Sequence, residues 1–171
     1  GKQELTHKPG SGKNVIANYK VPYEEGALLA IAYDDAGKEI AREERHSFGN
    51  SYAIRLSAED NCAPVADGRD LLFITIETTD KQGYPVENAS DRVKVEVTGA
   101  GRLVGLDNGD STDYDSYKGI SRRLFNGKLL AIIQTDKEPG KINVRVSGKE
   151  LVTAELCVES IAQTGQDRNA L

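Results

Sequence analysis

Apolar and polar residues alternate with period two along most of this chain, and the conformation that uses such a pattern is the half-buried strand of an antiparallel sheet. In Lys141-Ile142-Asn143-Val144-Arg145-Val146 every second residue is apolar, and Val93, Val95 and Val97 alternate with Lys94 and Glu96 in the same way. Leu72, Ile74, Ile76 and Thr78 line one face of the longest apolar run. Tyr52, Ile54 and Leu56 form another such face, and Val152, Ala154, Leu156 and Val158 a last one. A helix would instead repeat its apolar positions about every 3.6 residues, and no stretch does so convincingly. The pattern predicts an all-β chain.

Turn chemistry separates these runs. Asp80-Lys81-Gln82-Gly83-Tyr84-Pro85 closes one and Gly99-Ala100-Gly101 another, while Asn108-Gly109 and Asn126-Gly127 suit turns whose two central residues both need positive φ. Glu138-Pro139-Gly140 precedes a run, and Ser147-Gly148-Lys149-Glu150 makes a tight final hairpin. The spacing predicts about seven short strands between residues 51 and 159, the count of an immunoglobulin-like antiparallel β-sandwich. Residues 49–160 are read as that domain. Residues 1–48 read as a partial β-sandwich unit with strands over 15–21, 27–33 and 38–45, joined to the sandwich through His46-Ser47-Phe48-Gly49-Asn50. Three strands alone leave one apolar face uncovered. Residues 161–171 are polar and aperiodic and read as a frayed, flexible tail.

With 171 residues the chain is too short for a (β/α)₈ barrel, which needs about 250. Its 22 Lys and Arg against 27 Asp and Glu give a net charge of −5, with both signs interspersed. A nucleic-acid partner would require a basic stripe to meet phosphates, so nucleic acid is not expected as a partner. No apolar stretch reaches the ~20 residues of a membrane helix, so no membrane span is expected, and no segment has the ordered regions of a signal peptide. The chain opens at Gly1 and contains no Met, which predicts a piece of a longer protein whose activity lies elsewhere.

The chemistry-bearing motifs are few. Gly99-Ala100-Gly101-Arg102-Leu103-Val104-Gly105 resembles a dinucleotide-binding loop, but its spacing is one residue too long. Asp107-Asn108-Gly109-Asp110 also stands where the phosphate-binding helix should open, so no cofactor is expected. Asp107, Asp110, Asp113 and Asp115 supply the oxygen density that Ca²⁺ favours. Counted as an EF-hand from Asp107, however, Thr112 and Lys118 occupy the positions that need Gly and Glu. A calcium site of another kind and a solvated turn set by Asn108-Gly109, with Asp107 and Asn108 turned to neighbouring amides, are the two readings; no metal site is assigned. His7 and His46 fit no nucleophile or metal pattern, and no catalytic residue is assigned. A glycosidase needs two carboxyls held at a fixed separation in a cleft, which a small sandwich with solvated charges rarely supplies.

Tyr23, Tyr84, Tyr114 and Tyr117 fall in or next to turns, where rings can stack on sugars or pack over the sandwich ends. Of these, Tyr84, Tyr114 and Tyr117 are the candidates for sugar contact. Cys62 lies in a loop and Cys157 on the outward face of the last strand. The first and last strands of such sandwiches can run side by side, so a bridge and two free thiols are both open. Asn88-Ala89-Ser90 has the form of a glycosylation sequon and is read as chance.

One ordered series of motifs is more specific than a generic sandwich. Ala66-Asp67-Gly68-Arg69-Asp70-Leu71-Leu72-Phe73-Ile74-Thr75-Ile76-Glu77, then Asp80 and Gly83, then Gly99-Ala100-Gly101 and Gly105-Leu106-Asp107-Asn108-Gly109-Asp110 begin it. Tyr117-Lys118, Arg122-Arg123-Leu124-Phe125-Asn126-Gly127-Lys128-Leu129-Leu130 and Ile132-Ile133-Gln134 continue it. The series resembles the C-terminal immunoglobulin-like domain of bacterial glycoside hydrolase family 2 enzymes, chiefly β-galactosidases. Lys20-Val21-Pro22-Tyr23-Glu24-Glu25-Gly26-Ala27-Leu28, Ala30-Ile31-Ala32-Tyr33 and Gly37-Lys38-Glu39-Ile40-Ala41 look like the end of the β domain before it.

The resemblance implies a parent that is a retaining glycosidase, with two catalytic glutamates on a barrel upstream and none in this chain. The chain itself would then be a non-catalytic accessory module that packs on that catalytic barrel or touches carbohydrate, in a protein exported to the periplasm or cell surface. A dedicated carbohydrate-binding module and a surface adhesin built of similar sandwiches are the alternatives. The adhesin arrays repeat a unit of roughly 90 residues, and residues 1–49 show no likeness to the rest. Cutting inside a β domain also predicts a homodimer that pairs through residues 14–45 as a product of truncation.

Overall fold

The computed structural model describes residues 18–58 and 63–163, and among them every regular element is a β-strand. The chain divides into two units, Gly1–Ser47 and Phe48–Leu171.

In the first unit β1 (Ala27–Tyr33) and β2 (Glu39–His46) form an antiparallel hairpin that sets Leu29 opposite Glu44 and Ile31 opposite Arg42. Asp34 builds its turn: Oδ1 accepts the N–H groups of Ala36 and Lys38 at 2.9 and 2.8 Å, and Gly37 supplies φ 81°. The expected strand over 15–21 is corrected, since residues 18–21 have no regular structure and 15–17 lie outside the described residues. Pro22 ends that stretch without an N–H to give to a ladder. The single apolar face is corrected too. β1 is apolar at successive positions, so Leu28 and Leu29 point to opposite sides and both are exposed, while charged β2 faces them with Glu43, Glu44 and Arg45.

The second unit is a sandwich of two four-stranded sheets. Its strands are β3 (Ala53–Ala58), β4 (Val65–Ala66), β5 (Leu71–Thr79), β6 (Arg92–Gly99), β7 (Gly101–Asp107), β8 (Ser121–Arg123), β9 (Lys128–Thr135), β10 (Lys141–Gly148), β11 (Ala154–Glu159) and β12 (Ile161–Ala162). One sheet has the order β3-β5-β9-β7 and the other β11-β10-β6-β8. With the short β8 set aside, these are the A-B-E-D and G-F-C sheets of an immunoglobulin-like domain. The tail expected over 161–171 is corrected at its start, because Ile161 and Ala162 pair in parallel with Val65 and Ala66 and the Ile161 N–H donates to the Pro64 carbonyl. Residues 164–171 lie outside the described residues.

Alternation puts one row of each central strand into the core. Leu72, Ile74 and Ile76 of β5 and Leu129, Ala131 and Ile133 of β9 meet Val93 and Val95 of β6 and Ile142, Val144 and Val146 of β10, all buried. Each Val, Leu or Ile among them contributes roughly 1.5–3 kcal/mol by leaving water. The two threonines that end these rows are also buried and are hydrogen-bonded: Thr135 Oγ1 donates to the Val65 carbonyl at 2.9 Å, and Thr78 Oγ1 lies 3.2 Å from Ser51 Oγ. Gly99 closes β6 at φ 92°, where a Cβ would overlap the Lys141 carbonyl oxygen; this glycine pair serves a strand junction and opens no helix.

Candidate functional site

The registers gather most of the singled-out residues at one end of the sandwich. Ala53 opposes Thr79, Glu77 opposes Lys128, Asp107 opposes Leu130, and Val93 opposes Gly148, so β3, β6 and β9 begin where β5, β7 and β10 end. The loops 80–91, 108–120, 124–127 and 149–153 therefore share that end.

Asp80, 4% exposed, organises the first of them. Its Oδ1 accepts the N–H groups of Gln82 and Tyr84, both at 2.9 Å, and Oδ2 accepts Gly49 N–H at 2.9 Å. The Gly49 amide, more than any other group, holds the carboxyl below its ordinary range, and those of Tyr84, Gln82 and Gly83 add to it against the opposing effect of burial. One carboxylate thus ties the turn after β5 to the segment entering β3.

The acidic run is a string of turns in which side-chain oxygens take backbone N–H groups. Asp107 Oδ1 accepts from Gly109, Asn108 Oδ1 from Asp110, Asp110 Oδ1 from Thr112, and Asp113 Oδ1 from Asp115, at 2.9–3.0 Å. The second oxygen of Asp113 accepts Asn108 Nδ2 at 2.8 Å and Arg122 Nε at 2.9 Å. Asp115 Oδ2 lies 2.6 Å from Arg92 Nη2, a charge contact without the alignment of a hydrogen bond. Among the described residues no three His, Cys, Asp or Glu side chains are grouped as metal ligands.

Arg122 is the fully buried cation of this end. Beyond Asp113 it donates from Nη1 to the Leu106 carbonyl at 2.8 Å, and its guanidinium stacks 4.3 Å from the centre of the Tyr117 ring; Nη2 has no partner. The Asp115 amide is the main cause of a lowered Asp113 pKa, with Arg122 and Asn108 adding to it. Burial is the largest single influence on Arg122 and works against its charge, but Asp113 and Tyr117 together outweigh it and raise the pKa.

The candidate tyrosines differ in what they leave free. Tyr114 stands wholly in solvent, Tyr117 is 56% exposed with one ring face against Arg122, and Tyr84 is half-buried. Next to the Asp80 turn, Phe48, Asn50, Ser51, Asn88 and Asp91 line an open polar hollow of about 470 Å³. Ser51 Oγ donates to Asp91 Oδ2 at 2.6 Å, which leaves the exposed Asn50 and Asn88 amides to meet a guest. Cys157 is exposed on β11, and Cys62 lies outside the described residues. Two features escaped the sequence reading. The hollow comes from segments some forty residues apart and has no local pattern, whereas Arg122 was detectable as a charge in the inward row with Leu124.

Comparison with known proteins agrees with this geometry. The sequence model of glycoside hydrolase family 2 C-terminal domain 5 matches residues 54–157. The chain is 33% identical over 147 residues to a β-galactosidase of Bacteroides ovatus, a match covering 86% of this chain and 17% of that protein. A β-galactosidase of Thermoanaerobacter pseudethanolicus is 33% identical over 104 residues, 59% of this chain and 14% of that protein. Among solved structures, a β-glycosidase from Bacteroides vulgatus superposes with a TM-score of 0.79 at 34% identity, over 89% of this chain and 19% of that one. A family 2 glycosyl hydrolase from Bacteroides cellulosilyticus superposes with a TM-score of 0.74 at 30% identity, over 84% of this chain and 18% of that one. The chain spans less than a fifth of the length of these curated relatives.

Proposed function

This chain belongs to glycoside hydrolase family 2, as a C-terminal domain of that family, and on that premise we propose that it is a non-catalytic accessory domain of a β-galactosidase-like enzyme. The parent would hydrolyse terminal β-galactosides with retention, its paired glutamates lying on a catalytic barrel outside this chain. The observation that carries the reading is the pair of matches to β-galactosidases, which cover 86% and 59% of this chain and under a fifth of each relative. The test is to incubate the purified 171-residue chain with chromogenic β-galactosides. No turnover above a blank is expected, and turnover abolished by a substitution within this chain would refute the accessory role.

Carbohydrate contact is a second reading, favoured by the hollow that puts Phe48 beside the Asn50 and Asn88 amides, a ring and planar polar groups suited to a sugar's faces and hydroxyls. Affinity electrophoresis through galactans tests it, with retardation expected and unchanged mobility on every polysaccharide counting against it. Export to the periplasm or cell surface belongs to the same proposal, as does pairing of the isolated chain through residues 14–45. Cell fractionation and sedimentation at rising concentration check the two.

A further inference from the structure

The two sheets of the sandwich differ on their solvent sides. On β6 and β10 the outward residues include Lys94, Glu96, Asn143 and Arg145, a polar row in register across the pair. On β5 and β9 the outward positions hold Leu71, Phe73, Leu130 and Ile132, with Phe73 opposite Ile132 and Thr75 opposite Leu130. Phe73, Leu130 and Ile132 are half-buried and Leu71 is 40% exposed, and none of them belongs to the core between the sheets. Both central strands of this sheet are therefore apolar on both faces, the composition of strands that are covered on both.

Charge borders this apolar centre at each end. Glu77 binds Arg55 at 2.7 Å and Lys128 at 3.4 Å on one side, and Arg102 meets Gln134 and Asp136 on the other. An apolar middle with a polar rim is the anatomy of a contact surface. Its size selects the partner. The four strands of this sheet, about 4.8 Å apart and roughly 20 Å long, offer roughly 400 Å², polar rim included. A dimer that persists in solution needs about 800 Å² from each partner, whereas domains joined in one chain hold together through interfaces starting near 600 Å² in total, or about 300 Å² a side.

We propose that the outer face of the β3-β5-β9-β7 sheet docks on an apolar patch of another domain of the same polypeptide. This rests on the reading of the chain as one domain of a longer family 2 enzyme, since the matches cover only 17% and 14% of the two β-galactosidase relatives. Tethering supplies the effective concentration that so small a face needs.

Hydroxyl-radical footprinting of the chain alone and of the full-length polypeptide tests the proposal. Oxidation of Phe73 and Ile132 should fall about fivefold or more in the longer protein, with Cys157 on the opposite sheet as the reference for general access. The double variant F73T/I132T, which keeps β-branched side chains across the pair, should move the urea midpoint of the chain alone by less than about 1 M and speed proteolysis of the full-length protein at the junction around residues 46–50. Equal oxidation in the two proteins would overturn the docking face while leaving the family reading intact. Protection that appears in the chain alone as its concentration rises would replace the tethered domain with a second copy. A reading frame that encodes no further domain would refute the parent reading itself, and the docking face with it.

Discussion

Ile74 and Phe73 are neighbours on β5 that face opposite ways, so truncating each in turn separates the core from the outer face. Ile74 is fully buried between the sheets, among residues of β9, β6 and β10 that are themselves buried. Ile74→Ala removes three carbon groups, worth roughly 0.8 kcal/mol each, or about 2.4 kcal/mol of transfer free energy. The cavity left by incomplete collapse of the void adds to this, giving a total of about 3–4 kcal/mol. With a urea dependence near 1.5 kcal/mol per M, the unfolding midpoint should fall by about 2 M. Phe73→Ala leaves the core untouched and strips a half-buried ring from the outer face, so its shift should stay under about 0.5 M. Far-ultraviolet circular dichroism follows the transition, since the chain has no Trp to report it. Equal shifts for the two variants would refute the assignment of faces, and a shift below about 0.5 M for Ile74→Ala would refute the packing of the core.

Two further outcomes follow from the loop end. Gly127 sits at φ 76° and a Cβ there would lie 2.5 Å from the Val86 carbonyl oxygen, so Gly127→Ala should lower the melting temperature measurably, whereas Gly109→Ala, at φ 73° but in open space, should lower it less. Asp80 and Asp113 titrate below their unfolded value of about 3.9. The folded state thus binds fewer protons than the unfolded one in that range, and the stability these groups give is present above about pH 4 and lost as pH falls through their folded pKa values. Urea midpoints measured between about pH 6 and pH 2 should therefore drop on the acid side, and Asp80→Asn should flatten that drop while lowering the neutral midpoint.

The strands that could be read from the sequence are those whose alternation sets one row against the core, the edge strands β3 and β11 included. In β5, β6 and β10 the alternating apolar row is the one buried between the two sheets. The stretch 18–21 lacks such a ladder and its apolar residues signify no strand. β4 and β12 are two residues each and are defined by a parallel pairing some ninety-six positions apart, which no local period encodes. β8 is short, and its inward position is Arg122, a charge that breaks the apolar row while a loop residue, Asp113, compensates it. At the loop end the turns of Asp107 and Asn108 were legible, because Asp and Asn oxygens take the amides two residues on, whereas the ties from Asp80 to Gly49 and from Asp113 to Arg122 join segments that no local pattern connects.

The direction of the pKa shifts bears on where catalysis lies. A glycosidase's acid must keep its proton near neutral pH, so its pKa is raised, by burial or by a second carboxylate close by. Among the described residues of this domain each displaced carboxyl moves the other way. Backbone amides lower Asp67, Asp80 and Asp113, and Lys94 lowers Glu96. Glu77 is the sharpest case, because burial alone would raise it towards an acid's range, yet Arg55 and Lys128 on the neighbouring strands more than cancel that effect. A side chain that is ionised, paired and anchored to a rim charge cannot donate a proton to a leaving sugar. These carboxylates hold loops and strand edges in place. This structural use of Asp67, Glu77, Asp80, Glu96 and Asp113 is what the proposed accessory role leads one to expect of them.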